Sequence, residues 1–197
     1  MSAFAPFSPG PDAAIAEIER CARAGAKGIG ELRSDVQGFD LTDKRTMKPL
    51  VDAGLKHDLI FLTHSSEPVG HDYLGKGRIT PDILYSFITS FPSLRLVCAH
   101  WGGGLPFYAL MPEVAAALTN VLFDTAATVF LYEPEIFEQA SRIIGSDKIL
   151  FGTDYPLMHQ NRVLAQVQSA RLRAKDKAKI LGDNAQRMLY CDERVEA

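Results

Sequence analysis

Cysteine is scarce: three residues, at positions 21, 98 and 191, are spread over 197, and no two form a C-x-x-C pair. An odd, scattered set builds neither a disulfide framework nor a thiolate zinc knuckle, and it fits a reducing cytoplasm. A basic excess is lacking as well. The 21 Lys and Arg stand against 24 Asp and Glu, a formal net charge of -3 with a pI near 5.9. Nucleic-acid binders draw their affinity from neutralised phosphates, so no nucleic-acid partner is expected. No apolar run approaches the roughly 20 residues of a membrane helix, and the opening MSAFAPFSPGPD lacks the basic start and apolar stretch of a signal peptide. The expectation is a soluble cytoplasmic protein without a membrane partner. There is no G-x-S-x-G elbow, and the GKG at 75–77 lacks the spacing of a phosphate-binding loop, so serine hydrolysis and nucleotide binding find no support.

What is present is a chain 47% hydrophobic, enough for one sizeable core, with no linker or low-complexity tract; a single domain over 1–197 is expected. Short apolar runs alternate with segments of helical period. Ala3 to Phe7, Lys27 to Leu32, Leu59 to His64, Leu94 to His100, Asn120 to Thr125 and Lys148 to Asp154 read as strands. Between the first two runs Ile15, Ile18 and Ala22 recur at helical spacing, with Gly25 where a C-terminal cap is wanted. Thr80-Pro81-Asp82 reads as a helix start whose buried face is Leu84, Phe87 and Ile88. Further helices are expected over Met47 to Lys56 with Pro49 in the first turn, over Pro106 to Leu118, over Pro134 to Ile144, and twice near the C-terminus.

Strand ends at Phe7, Glu31, His64, His100, Asp124 and Asp154 follow at intervals of 24, 33, 36, 24 and 30 residues, close to one βα unit per step. Six units are therefore expected, whereas a closed (β/α)8 barrel takes about 250 residues; this chain is short of one by roughly two units.

Parallel βα arrays gather their chemistry at the C-terminal ends of the strands. His64, His100 and Asp154 end LIFLTH, LRLVCAH and ILFGTD, and they are expected to converge on one pocket. Imidazole and carboxylate are good ligands for zinc and similar divalent ions, so the expected metal set is His64, Asp154, His100 and Glu31, with zinc as the cofactor. The plain alternatives are a capping histidine at 64, a turn-forming aspartate at 154, and a Glu31 paired with Arg33 or Lys27. Asp154 and His100 are the candidate catalytic groups. After His100 comes Trp101-Gly102-Gly103-Gly104, whose missing side chains would let backbone N–H groups approach a substrate. Trp101, Gly102 and Gly103 are accordingly expected to bind substrate, as are His71 and Tyr73 in the glycine-rich loop 65–77. His57 is expected at the solvated surface, and Cys98, inside an apolar run, is expected to be inert.

At HSSEPVGH, CAHWGGGLPFY and LFGTDYPL the chain resembles the amidohydrolase-related family of metal-dependent TIM-barrel hydrolases, which includes aminocarboxymuconate-semialdehyde and resorcylate decarboxylases. PDAAIAEIERCARAGAKGIGEL resembles the family's third strand, helix and fourth strand, and KILGDNAQRMLY its closing helix. The resemblance implies an α/β, TIM-like barrel made of strands 3 to 8. It makes His64 a metal ligand, His100 a group that binds metal or contacts substrate, and Asp154 a metal ligand that moves protons. One departure stands out: the H-x-H pair of the family's first strand occurs nowhere in this sequence, so any metal is expected to bind weakly. The function so implied is hydrolysis of a small organic substrate by metal-activated water. The alternatives are non-oxidative decarboxylation on the same fold, or a metal-free, catalytically inactive binding protein. Open barrel edges would favour a homo-oligomer.

Overall fold

Five short strands lie side by side in the order of the chain, every neighbouring pair parallel: β1 (Gly28–Leu32), β2 (Ile60–Thr63), β3 (Leu96–Cys98), β4 (Val121–Asp124) and β5 (Ile149–Leu150). The structure is a computed structural model, and it describes residues 11–190. A doubly wound sheet would reverse its strand order at a switch point; here the order never reverses, as in an arc of a (β/α) barrel. The expected strand from Ala3 to Phe7 lies outside the described residues.

Each strand is joined to the next by helix, because a parallel pair needs a long crossover. Helix α1 (Pro11–Arg23) precedes β1, α2 (Lys44–Lys56) links β1 to β2, and α3 (Pro81–Ser90) links β2 to β3. Their buried residues recur three and four apart, as in Met47, Leu50, Val51 and Gly54 of α2. These faces close over the outer side of the sheet, where Leu32, Phe61, Leu96, Cys98 and Phe123 form one core with them. A second core gathers around Trp101, Phe137, Val163, Val167 and Ile180. No helix among the described residues is long and apolar enough to cross a membrane.

Three expectations need correction. Helix α2 starts at Lys44, ahead of Met47, because the Asp43 side chain accepts from the Arg45 backbone N–H and caps it; Pro49 therefore lies inside the helix. The single helix expected from Pro106 to Leu118 is two, Leu105–Tyr108 and Pro112–Ala117, since Pro112 supplies no N–H to continue the first and is suited to begin the second. The run from Lys148 to Asp154 keeps only two residues as strand. The Phe151 N–H turns to the Ile180 carbonyl at 3.0 Å, so the chain leaves the sheet before Asp154.

Candidate active site

The site begins with an irregularity in β1. Ile29 pairs with Phe61 and Leu32 with Thr63, so β1 carries one residue more than β2 across that step. This is a bulge, and bulges re-aim side chains. Gly30 makes it possible: its φ is +144°, and a Cβ there would collide with the Leu62 carbonyl oxygen. The extra residue turns the Glu31 carboxylate toward the ends of β2 and β3.

There it meets two imidazoles. Glu31 Oε1 lies 2.7 Å from His64 Nδ1 and 3.5 Å from His100 Nε2, and the two rings stand edge to face with centroids 4.9 Å apart. All three potential ligand atoms fall within 4.8 Å of one another, and both histidines are buried. Glu31 thus takes histidine partners, while Arg33 pairs with Asp35.

His100 is aimed by backbone. It opens a turn in which His100, Trp101, Gly102 and Gly103 all have φ between 54° and 60°. Its N–H donates to Asp124 Oδ1 at 2.9 Å, and Ala126 N–H donates to the same oxygen. The Nδ1–H faces the Ala126 carbonyl at 3.2 Å, which leaves Nε2 toward Glu31 and defines the ring's orientation. Asp124, expected only as a strand end, is therefore the anchor of the turn.

The electrostatics follow from this packing. Burial pushes the Glu31 carboxyl up, but the hydrogen bonds to His100 and His64 outweigh it and hold it at about 2. Burial likewise pulls His100 down, yet the Glu31 hydrogen bond and the charges of Asp124 and Glu31 raise it to about 9. Without a cation the cluster is a half-buried carboxylate facing a protonated His100. Asp124, half-buried, is pushed up by burial.

In front of the cluster lies a cavity of about 300 Å³, lined by His64, His71, Tyr73, Leu74, Gly75, His100, Ala127, Phe130, Leu131, Asp154 and Leu157. His64, His100 and Asp154 therefore share one cavity, but Asp154 stands apart from the three-ligand cluster. It is exposed, with φ at 64°, on the turn that follows the early exit of β5. His71 and Tyr73 form one wall, their rings 5.6 Å apart. Lys76 stabilises that loop by donating to the carbonyls of Val69, Gly70 and His71. Burial pushes the Tyr73 phenol up to about 12, helped by the Glu67 carboxylate and opposed by hydrogen bonding from Ser66.

Trp101, Gly102 and Gly103 are placed differently from expectation. Trp101 is fully buried behind the site, its ring against Phe137 with centroids 5.2 Å apart and its Nε1–H donating to Thr128 Oγ1 at 2.8 Å. A Cβ on Gly103 would collide with the Ser66 carbonyl oxygen, so the missing side chain lets the β3 exit pack against the β2 exit. His57 sits half-buried beside Glu19 at the opposite end of the sheet. Sequence reasoning missed the apolar wall of Phe130, Leu131 and Leu157, which carries no motif, and Ser66, whose only signal is its place two residues after His64.

A family model described as amidohydrolase matches residues 2–190. A 2-amino-3-carboxymuconate-6-semialdehyde decarboxylase of Caenorhabditis elegans is 27% identical over 132 residues, which cover 57% of this chain and 32% of that protein. The crystal structure of 5-carboxyvanillate decarboxylase from Sphingomonas paucimobilis superposes with a TM-score of 0.75 at 19% identity, covering 95% of this chain and 66% of that one. A dihydroxybenzoic acid decarboxylase from Polaromonas, solved with bound manganese and the inhibitor 2-nitroresorcinol, gives 0.72 at 18% identity, covering 95% and 68%. The chain thus spans about a third of the curated relative and about two thirds of these structures.

Proposed function

We propose that this chain, which belongs to the amidohydrolase family, holds a divalent cation between Glu31, His64 and His100 and serves the non-oxidative decarboxylation of a small carboxylic acid. The observation that carries this reading is the convergence of one carboxylate oxygen and two imidazole nitrogens within 4.8 Å at the floor of a largely apolar cavity. The donor set fits such an ion. Two imidazoles and a carboxylate suit zinc, manganese and similar divalent metals, and the His100 Nδ1 contact to a backbone carbonyl is the outer support that ligating histidines normally have. Decarboxylation replaces the expected hydrolysis because both the curated relative and the compared structures are decarboxylases. The expectation of zinc broadens to a divalent cation, since one of those structures holds manganese.

When bound, the cation would supply positive charge against the substrate carboxylate and neighbouring oxygens. The chain's own residues do the rest. Phe130, Leu131 and Leu157 take the apolar body of the acid and exclude water from it. His71 and Tyr73 cover its other side. As the bond from carbon to the carboxyl group breaks, carbon dioxide leaves and the electron pair stays on the substrate carbon, which then takes a proton. Asp154, on the cavity wall, is the residue assigned to carry that proton in from solvent.

Mass spectrometry of a panel of unsaturated and aromatic carboxylic acids incubated with manganese-loaded protein tests the reading. Loss of carbon dioxide supports it. Addition of water with the carboxylate retained would restore the hydrolase, and binding without any mass change would favour a catalytically inactive binding protein.

A further inference from the structure

The Ser66 hydroxyl is a buried polar group that the reaction above leaves unused. Two serines follow His64, and they differ in what they serve. Ser65 Oγ donates to the Ala99 carbonyl and ties the exits of β2 and β3. Ser66 Oγ instead lies 3.1 Å from His64 Nε2, and it accepts from the Gly77 backbone N–H at 2.8 Å. Ser66 is fully enclosed, its backbone N–H donating to the Ile79 carbonyl at 2.9 Å and its carbonyl lying where a Cβ on Gly103 would collide with it, so the hydroxyl has little room to drift.

A hydroxyl has one proton to give and two lone pairs. Gly77 takes one lone pair, and the rest depends on which ring nitrogen of His64 is protonated. With the proton on Nδ1, the ring donates to Glu31 and the Ser66 proton must turn to Nε2. With the proton on Nε2, the ring donates to the second lone pair of Ser66. The Ser66 proton is then released to the Tyr73 hydroxyl against it, and Tyr73 donates to Glu67 Oε2 at 3.0 Å. Only the second arrangement leaves Nδ1 bare, facing Glu31 Oε1 and the position between the three ligands. His64 is 5% exposed and Ser66 fully buried, so the hydroxyl is the partner the packing sets against Nε2.

We propose that Ser66 is a positioning residue, the acceptor that takes the His64 proton on Nε2 when a cation displaces the Nδ1–H from its hydrogen bond to Glu31. Tyr73 and Glu67 complete a directed chain of hydrogen bonds from the ring to the cavity wall. The inference rests on the cation reading of Glu31, His64 and His100. It adds a reason for the second serine of HSSE and for a tyrosine bonded to a glutamate on the loop that follows it.

Cobalt(II) titration followed by visible absorption, on the unaltered chain, Ser66→Ala, Ser66→Thr and Tyr73→Phe, tests it together with multiple-bond ¹H–¹⁵N NMR of His64 in the zinc-loaded unaltered chain. The expected results are an Nε2-protonated His64 ligating through Nδ1, and cobalt affinity about 10- to 100-fold weaker in Ser66→Ala, the loss usual for an outer-shell partner of a metal ligand. Ser66→Thr, which retains the hydroxyl, recovers most of that affinity. Tyr73→Phe, which leaves the Ser66 lone pair in place, loses less than Ser66→Ala. Equal cobalt affinity in Ser66→Ala and the unaltered chain overturns the inference alone, and so does a His64 that ligates through Nε2. An unaltered chain that takes up no cobalt overturns the cation reading and this inference with it. Should Ser66→Ala not fold, the His64 spectrum of the unaltered chain decides.

Discussion

Glu31 Oε1 and His64 Nδ1 lie 2.7 Å apart although 33 residues separate them, because a one-residue bulge in β1 turns the carboxylate toward the end of β2. The same oxygen faces His100 Nε2 at 3.5 Å, so a single carboxylate oxygen organises both rings. The cluster's properties follow from that sharing.

The first consequence concerns pH. His100 is raised from 6.5 to about 9, so its contribution to stability is fully present below pH 6.5 and is lost as pH rises through about 9. The shift corresponds to an upper figure of about 3 kcal/mol. Urea unfolding of the cation-free chain is expected to show a fall in stability across that window. In Glu31→Gln, which removes the carboxylate's charge and weakens its hydrogen bond to a neutral one but leaves Asp124, the fall is smaller. An identical pH profile in the two proteins would contradict the pairing.

Gly103→Ala is expected to be costly. The added methyl meets the Ser66 carbonyl at a backbone φ of +60°, so overpacking and left-handed strain combine to roughly 2–4 kcal/mol. The denaturation midpoint reads the loss directly. Cation affinity should fall with it, because the substitution forces the exits carrying His64 and His100 apart.

Trp101→Phe separates packing from substrate contact. Losing the Nε1–H bond to Thr128 and part of the ring buried against Phe137 should cost about 2 kcal/mol. Because Trp101 does not line the cavity, the affinity for a carboxylic acid substrate, read by calorimetry, stays unchanged. A large loss of that affinity in a folded variant would return Trp101 to the substrate site.

The contrast between Trp101 and Glu31 shows what was legible in the sequence. The strand runs ending near Glu31, His64 and His100 could be read because apolar β-branched runs stop at polar residues, and parallel strand ends share a face. The course of the turn after His100 could not. A glycine run looks alike whether it faces a ligand or a neighbouring backbone, and only the packing of Gly103 on Ser66 distinguishes them. Asp154 was legible as a wall of the shared cavity, but its separation from the cluster follows from a tertiary hydrogen bond, Phe151 N–H to Ile180, between residues 29 apart. Asp124 read as one more strand end, because a side chain that accepts backbone N–H groups has no sequence signal beyond its identity.

The apolar wall provides a further test. Leu157 is exposed yet lines the cavity, so Leu157→Glu should alter stability by no more than about 0.5 kcal/mol. A carboxylate there repels an acidic substrate, and KM is expected to rise while kcat changes little. Equal KM values would remove Phe130, Leu131 and Leu157 from the substrate's path.

The central claim is that Glu31, His64 and His100 together hold one divalent cation. Manganese binding followed by electron paramagnetic resonance, on the unaltered chain and on Glu31→Ala, His64→Ala and His100→Ala, tests it most directly. The expected result is one manganese per chain, bound more weakly as pH falls below about 9 because His100 must give up its proton, and lost in each of the three variants. Unchanged binding in any folded variant of the three, or no binding by the unaltered chain at pH 9, would contradict the account.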